Sequence, residues 1–161
     1  QSLAVAARLD VPVVLMHSRG EPAHMQSLTQ YDDLIANVLA ELAARVKACL
    51  AAGMNKHHLI IDPGLGFAKD AGQSARLLSH MAEFHRLECP VLIGASRKSF
   101  IGELAGAART DDRLPGSLAA ALWAAQQGAA ILRVHDVVET IQALAIFRTL
   151  CYKDGESTEV E

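Results

Sequence analysis

Four apolar runs in this sequence each end in groups that can bind or react. "VPVVLMH" delivers Met16 and His17, and "HLIIDP" delivers Asp62 ahead of "PGLGFAKD". "PVLIG" reaches Gly94 and is followed by "ASRKS", and "AAILRVH" carries Arg133 and His135. Arg133 and His135 stand two apart, so on a strand they share one face while Val134 takes the other. A guanidinium fork beside an imidazole suits a phosphate or pyrophosphate. The competing reading is a loop-holding pair of Arg133 or His135 with Asp136. Asp62 can accept two donors at once, the complement of a cyclic amidine or guanidine edge; it can equally cap a strand-to-helix turn. Gly64 and Gly66 allow backbone conformations closed to other residues and close approach of a ligand. Lys98 precedes Ser99, where a helix resumes, so its amine can point across the strand ends and donate without imposing a plane. Arg97 is expected to turn outward into an ion pair. Phe67 and Met16 are either local packing or a flat, polarizable surface for an aromatic ligand. The histidines show no metal-ligand spacing, so no metal ligand is expected in this chain; adjacent His57 and His58 read as surface.

These groups need elements to aim them. The four runs do not alternate cleanly between apolar and polar, as strands buried on both faces of a parallel sheet do not. A helical pattern follows each one. Ile35, Val38, Leu39, Leu42, Val46, Cys49 and Leu50 form an apolar stripe ending near Gly53. Leu77, Leu78, Met81 and Phe84 mark a shorter helix, and Leu118, Leu122 and Ala125 another between Ser117 and Gly128. Val137, Ile141, Leu144, Ala145 and Phe147 mark the last. Four β-then-α units imply an α/β fold, a parallel sheet with right-handed crossovers. An open doubly wound sheet and half of a (β/α)8 barrel both fit, and both put ligands at the carboxyl ends of the strands.

Composition excludes several classes. With 161 residues, 51% hydrophobic and 20% charged, the chain can bury a core. No apolar run reaches the roughly 18 residues of a membrane helix. A formal charge of −3 with scattered cations argues against a nucleic-acid partner. Cys49, Cys89 and Cys151 are odd in number and show no CxxC spacing, which points to a reducing cytoplasm. Residues 1–150 are expected to form one unit and 151–161 a solvated acidic tail. "QSLAVAARLD" reads as the last turns of a helix already under way, as in a segment of a longer chain.

Taken in order, "DPGLGFAKD", "GASRKSFIG", "RLPGSLAAALWAAQQGA" and "LRVHDV", with "LMHSRGEPAHMQ" before them, resemble dihydropteroate synthase, a pterin-binding barrel family. Leu65 and Ala68 stand where that family often has Phe and Gly, and Ser18 where Met or Asn is common. The resemblance implies strands 5–8, the C-terminal half, of a TIM (β/α)8 barrel. The implied reaction condenses 6-hydroxymethyl-7,8-dihydropterin pyrophosphate with para-aminobenzoate in folate biosynthesis and releases pyrophosphate. It implies that Asp62, Lys98, Met16 and Gly94 meet the pterin, and that Arg133 and His135 clasp the pyrophosphate. Phe67, Lys98 and Ser99 would line the aminobenzoate pocket. Lys98, Arg133 and His135 become the catalytic candidates. It also implies Mg2+, held by residues of the family's N-terminal half. Such a half-barrel exposes two sheet edges, so it is expected to be weakly active or inactive alone, and to form a homodimer or pair with the missing half. A pterin-binding methyltransferase and a non-catalytic binding module are the alternatives.

Overall fold

The computed structural model describes residues 2–21 and 23–151. Helix α1 (Ser2–Leu9) leads into strand β1 (Val13–Met16), and α2 (Leu34–Ala51) into β2 (Leu59–Asp62). Helix α3 (Ala71–Ser79) precedes β3 (Leu92–Ile93). Two helices, α4 (Ser99–Ala105) and α5 (Leu114–Gln126), then precede β4 (Ile131–Leu132) and α6 (Val137–Cys151). The expected acidic tail lies, apart from Cys151, outside the described residues.

All strand pairings are parallel. β1 lies on β2 with Met16 opposite Asp62, β3 on β4 with Ile93 opposite Leu132, and a bridge from Ile61 to Val91 joins the two pairs. The order is therefore the chain order, and the carboxyl ends finish level. The strands are shorter than the apolar runs that announce them. Pro12, Pro63 and Pro90 flank the ladders and have no N–H to donate, so pairing stops beside them.

The helices form for local reasons. The Asp33 carboxylate accepts from the Ala36 N–H and starts α2, which buries Leu34, Val38, Leu42, Val46 and Cys49 along one stripe. Asp70 and Gln73 cap α3 reciprocally. The expected helix through Phe84 breaks at His80 and continues as a 3-10 segment, Met81–Leu87. In that tighter winding residues three apart eclipse, and both Met81 and Phe84 point into the core. Helix α5 differs more. Its inward face is Ser117, Ala120, Ala121 and Ala124, whose small side chains let the helix sit close on its neighbours. The leucines expected to be its core stripe, Leu118 and Leu122, are only half-buried and face α6 across a groove. Helix α6 accordingly leaves Val137, Val138, Ile141, Ile146 and Leu150 exposed. At the other margin Val14 of β1 is exposed too, so both ends of the sheet present apolar surface.

Candidate functional site

The level strand ends bring the expected groups into one mouth. Asp62 closes β2, is 5% exposed, and accepts the Gly64 N–H at 2.7 Å through Oδ1. Its Oδ2 accepts nothing among the described residues. Burial raises its pKa, while the Gly64 N–H, Lys98, Arg133 and Lys69 pull the other way. Met16 lies level with it on β1 and reaches toward Gly64. Gly64 is irreplaceable on steric grounds: its φ is +69°, and a Cβ would fall 1.9 Å from the His17 carbonyl oxygen.

Lys98 is aimed by its neighbours. Arg97 holds a left-handed φ of 57° and donates its N–H to Ser117 Oγ at 2.8 Å. Its carbonyl accepts from Arg113 at 3.0 Å, and its guanidinium grips Asp136 at 2.5 and 3.0 Å and Asp111 at 3.1 Å. Strain held on every side in this way fixes the direction of the next residue. The Lys98 amine donates to the Leu65 carbonyl and sits 4.6 Å above the centre of the Phe67 ring. Burial lowers its pKa to about 8; Asp62 resists that shift and Arg133 adds to it. Ser99 opens α4 and is exposed beside it.

Arg133 and His135 alternate with half-buried Leu132 and Val134, as side chains on one extended face should. Neither makes a hydrogen bond or ion pair with Asp136 among the described residues; Arg97 grips that carboxylate, and His135 acts on it only through its charge. The Arg133 guanidinium makes no hydrogen bond or ion pair among the described residues. It lies against Gly94, where a Cβ would stand 3.3 Å from Nε and 3.4 Å from Nη2. The His135 ring is tied at Nδ1 to Ser96 Oγ at 3.0 Å, and the same hydroxyl accepts the His135 N–H at 3.2 Å. Nε2 has no hydrogen-bond partner among the described residues.

Sequence reasoning missed Lys69, Ser96 and the true setting of His17. Lys69 is 2% exposed, donating to His17 Nδ1 at 2.9 Å and to the Phe67 carbonyl at 2.8 Å. Burial lowers its pKa to about 7, against the pull of Asp62 and Glu41. His17 Nε2 meets Glu41 Oε2 at 3.1 Å. A carboxylate only accepts, so Nε2 carries the proton and Nδ1 of the neutral ring accepts from Lys69. Burial, with Lys69 adding to it, drops the His17 pKa to about 4. One signal was available: a lysine inside "GFAKD", flanked by groups that line a mouth.

A parallel α/β sheet whose level strand ends converge on one polar mouth is the arrangement in which proteins of the β/α class place their ligand sites. A family model described as "Pterin binding enzyme" matches residues 1–135, and the chain belongs to that family. It is 43% identical over 159 residues to the dihydropteroate synthase of Escherichia coli (strain K12), covering 98% of this chain and 56% of that protein. The crystal structure of dihydropteroate synthase from Stenotrophomonas maltophilia with active site-bound imidazole superposes with a TM-score of 0.92. It is 44% identical, over 96% of this chain and 58% of that one. The Thermus thermophilus dihydropteroate synthase in complex with 4-aminobenzoate gives 0.89 at 39% identity, over 94% and 61%. The chain spans about half the length of the curated relatives it matches.

Proposed function

We propose that this chain carries the strand 5–8 portion, the C-terminal half, of a dihydropteroate synthase barrel, and that its mouth binds a dihydropterin pyrophosphate and para-aminobenzoate. The observation that carries the reading is that one mouth holds an Asp62 carboxylate oxygen and an Arg133 guanidinium that have no hydrogen-bond partner among the described residues. The first complements the donor edge of a pterin, and the second complements an anionic leaving group. Lys98 donates to the pterin ring, and Met16 and Gly94 give it an apolar and a close-approach wall. Phe67, Lys98 and Ser99 border the aminobenzoate. Arg133 and His135 clasp the pyrophosphate.

The chemistry needs little more than these groups. Breaking the carbon–oxygen bond leaves positive charge on the pterin methylene and negative charge on pyrophosphate. Cations already in place where that negative charge grows lower the barrier by about 3 kcal/mol per well-aimed group. Asp62, with its ring-facing oxygen, steadies the heterocycle as charge develops. An aromatic amine is nucleophilic without a strong base, so positioning supplies the rest. Among the described residues no three His, Cys, Asp or Glu side chains gather where they could hold a metal ion. Mg2+ is commonly held by one or two carboxylates together with substrate phosphates and water, and we assign the ion implied by the family resemblance to a segment that completes the barrel. The apolar margins at Val14 and along α6 support a second copy or that completing segment as partner. Three unpaired cysteines fit a cytoplasmic setting.

Calorimetry tests the reading. Aminobenzoate binding that requires pyrophosphate and a pterin supports the synthase. Pterin binding indifferent to pyrophosphate would instead indicate a pterin-dependent methyltransferase, and no binding of either a non-catalytic module.

A further inference from the structure

The loop after β2 has an improbable backbone. Gly64, Gly66 and Ala68 all hold positive φ, at 69°, 76° and 53°. Ala68 has a Cβ and is fully buried, so its left-handed conformation must be imposed from outside. The two carbonyls flanking it in the chain path are both held. Lys69 donates to the Phe67 carbonyl at 2.8 Å, and the Tyr31 hydroxyl to the Ala68 carbonyl at 3.0 Å.

These two clamps belong to one closed circuit. The Lys69 amine also donates to His17, and His17 to Glu41 on α2. Glu41 Oε1 accepts from Arg19 Nε at 2.9 Å, and the Arg19 guanidinium lies 4.0 Å from the centre of the Tyr31 ring. Tyr31 returns to Ala68. The circuit joins the loop after β1, helix α2 and the loop after β2, and it encloses the turn that presents the Phe67 ring beneath Lys98.

We propose that Lys69 is a positioning residue of the site. Through the ring of contacts Lys69–His17–Glu41–Arg19–Tyr31–Ala68 it holds the 64–68 turn in its strained form, and so sets where the Phe67 ring stands. The inference rests on the mouth being a substrate site, as proposed above. It assigns the aromatic-ligand side of that mouth a support separate from the anion side, which hangs on Ser96, Gly94 and β4. The buried place of the amine has a geometric reason: it spans from one strand-end loop to the next, a reach that no shorter side chain has.

The test uses Lys69→Met, which keeps the buried stem and removes the amine, and Tyr31→Phe, which removes only the hydroxyl clamp. Amide hydrogen exchange across 64–70 is expected to accelerate at least about 10-fold in each variant, with the β2 and β3 amides unchanged. Should Lys69→Met fail to fold, Tyr31→Phe decides alone. Exchange that is unchanged, or faster throughout the molecule, overturns the proposal. In calorimetry, the aminobenzoate Kd is expected to rise about 10-fold in Lys69→Met while the pyrophosphate Kd stays within about twofold. Equal loss of both ligands overturns it as well. If the unaltered chain binds neither ligand, the substrate reading fails, and hydrogen exchange still decides whether the circuit holds the turn.

Discussion

Replacing Arg133 with alanine separates a ligand-binding cation from a structural one. In the fold the guanidinium has no hydrogen-bond or ion-pair partner among the described residues and rests on Gly94. Its loss should therefore change stability by no more than about 0.5 kcal/mol, the usual range for a surface residue without a specific role. Toward pyrophosphate the same group offers charge-assisted hydrogen bonds, at about 1.5–3 kcal/mol. That is a rise of roughly 10- to 150-fold in Kd. Arg133 adds to the lowering of the Lys98 pKa to about 8, but Lys98 is already mostly protonated at pH 7, so loss of Arg133 brings little compensating charge there. Calorimetric titration with pyrophosphate at pH 7, beside a thermal melt, measures both quantities on one preparation. Gly94→Ala supplies an independent check. A methyl at 3.3 Å from Nε displaces the guanidinium by a few tenths of an ångström without removing its charge, so a loss of several-fold is expected. A pyrophosphate Kd unchanged by Arg133→Ala, or a fall in melting temperature that accounts for the lost binding, would refute the argument.

Ser96→Ala releases the His135 ring from its 3.0 Å tether, and a roughly threefold weaker pyrophosphate Kd is expected; an unchanged value would show that the hydroxyl does not aim the imidazole. His17 is buried and neutral with a pKa near 4, below its ordinary 6.5, so on acidification the unfolded chain takes up the proton first. Its contribution, up to about 3 kcal/mol, is present above pH 6.5 and lost as pH falls toward 4. Urea midpoints that stay flat across that interval would contradict the assignment. Cys151 is exposed while Cys49 and Cys89 are buried, with burial raising the pKa of both buried thiols. A thiol reagent should therefore titrate Cys151 quickly and the other two only on unfolding; rapid reaction of Cys49 would remove it from the α2 core stripe.

Much of the architecture was legible because burial repeats at intervals set by local geometry. The apolar runs at 11–17 and 58–63 fell on β1 and β2, and the stripe from Val38 to Cys49 fell on the inner face of α2. The polarity of each strand end was legible for the same reason, since a charged group after a buried run has few places to go except a mouth. The division of labour between Arg97 and Lys98 also followed locally, from their positions just before a helix start. Helix α5 resisted because its core face is built of alanines, which hydropathy ranks below the leucines beside them. Only packing against α3, α4 and α6 decides which side turns inward.

What the residues alone determined, then, was the alternation of elements and the chemical groups delivered at each strand end. The partners of those groups came from the tertiary structure. Asp136 belongs to Arg97, 39 residues away, and Lys69 to His17, 52 residues away. Periodicity describes how one segment meets a core, whichever core that is. A specific hydrogen bond depends on strand register and on the path of two loops through space, and those are settled only when every segment has packed.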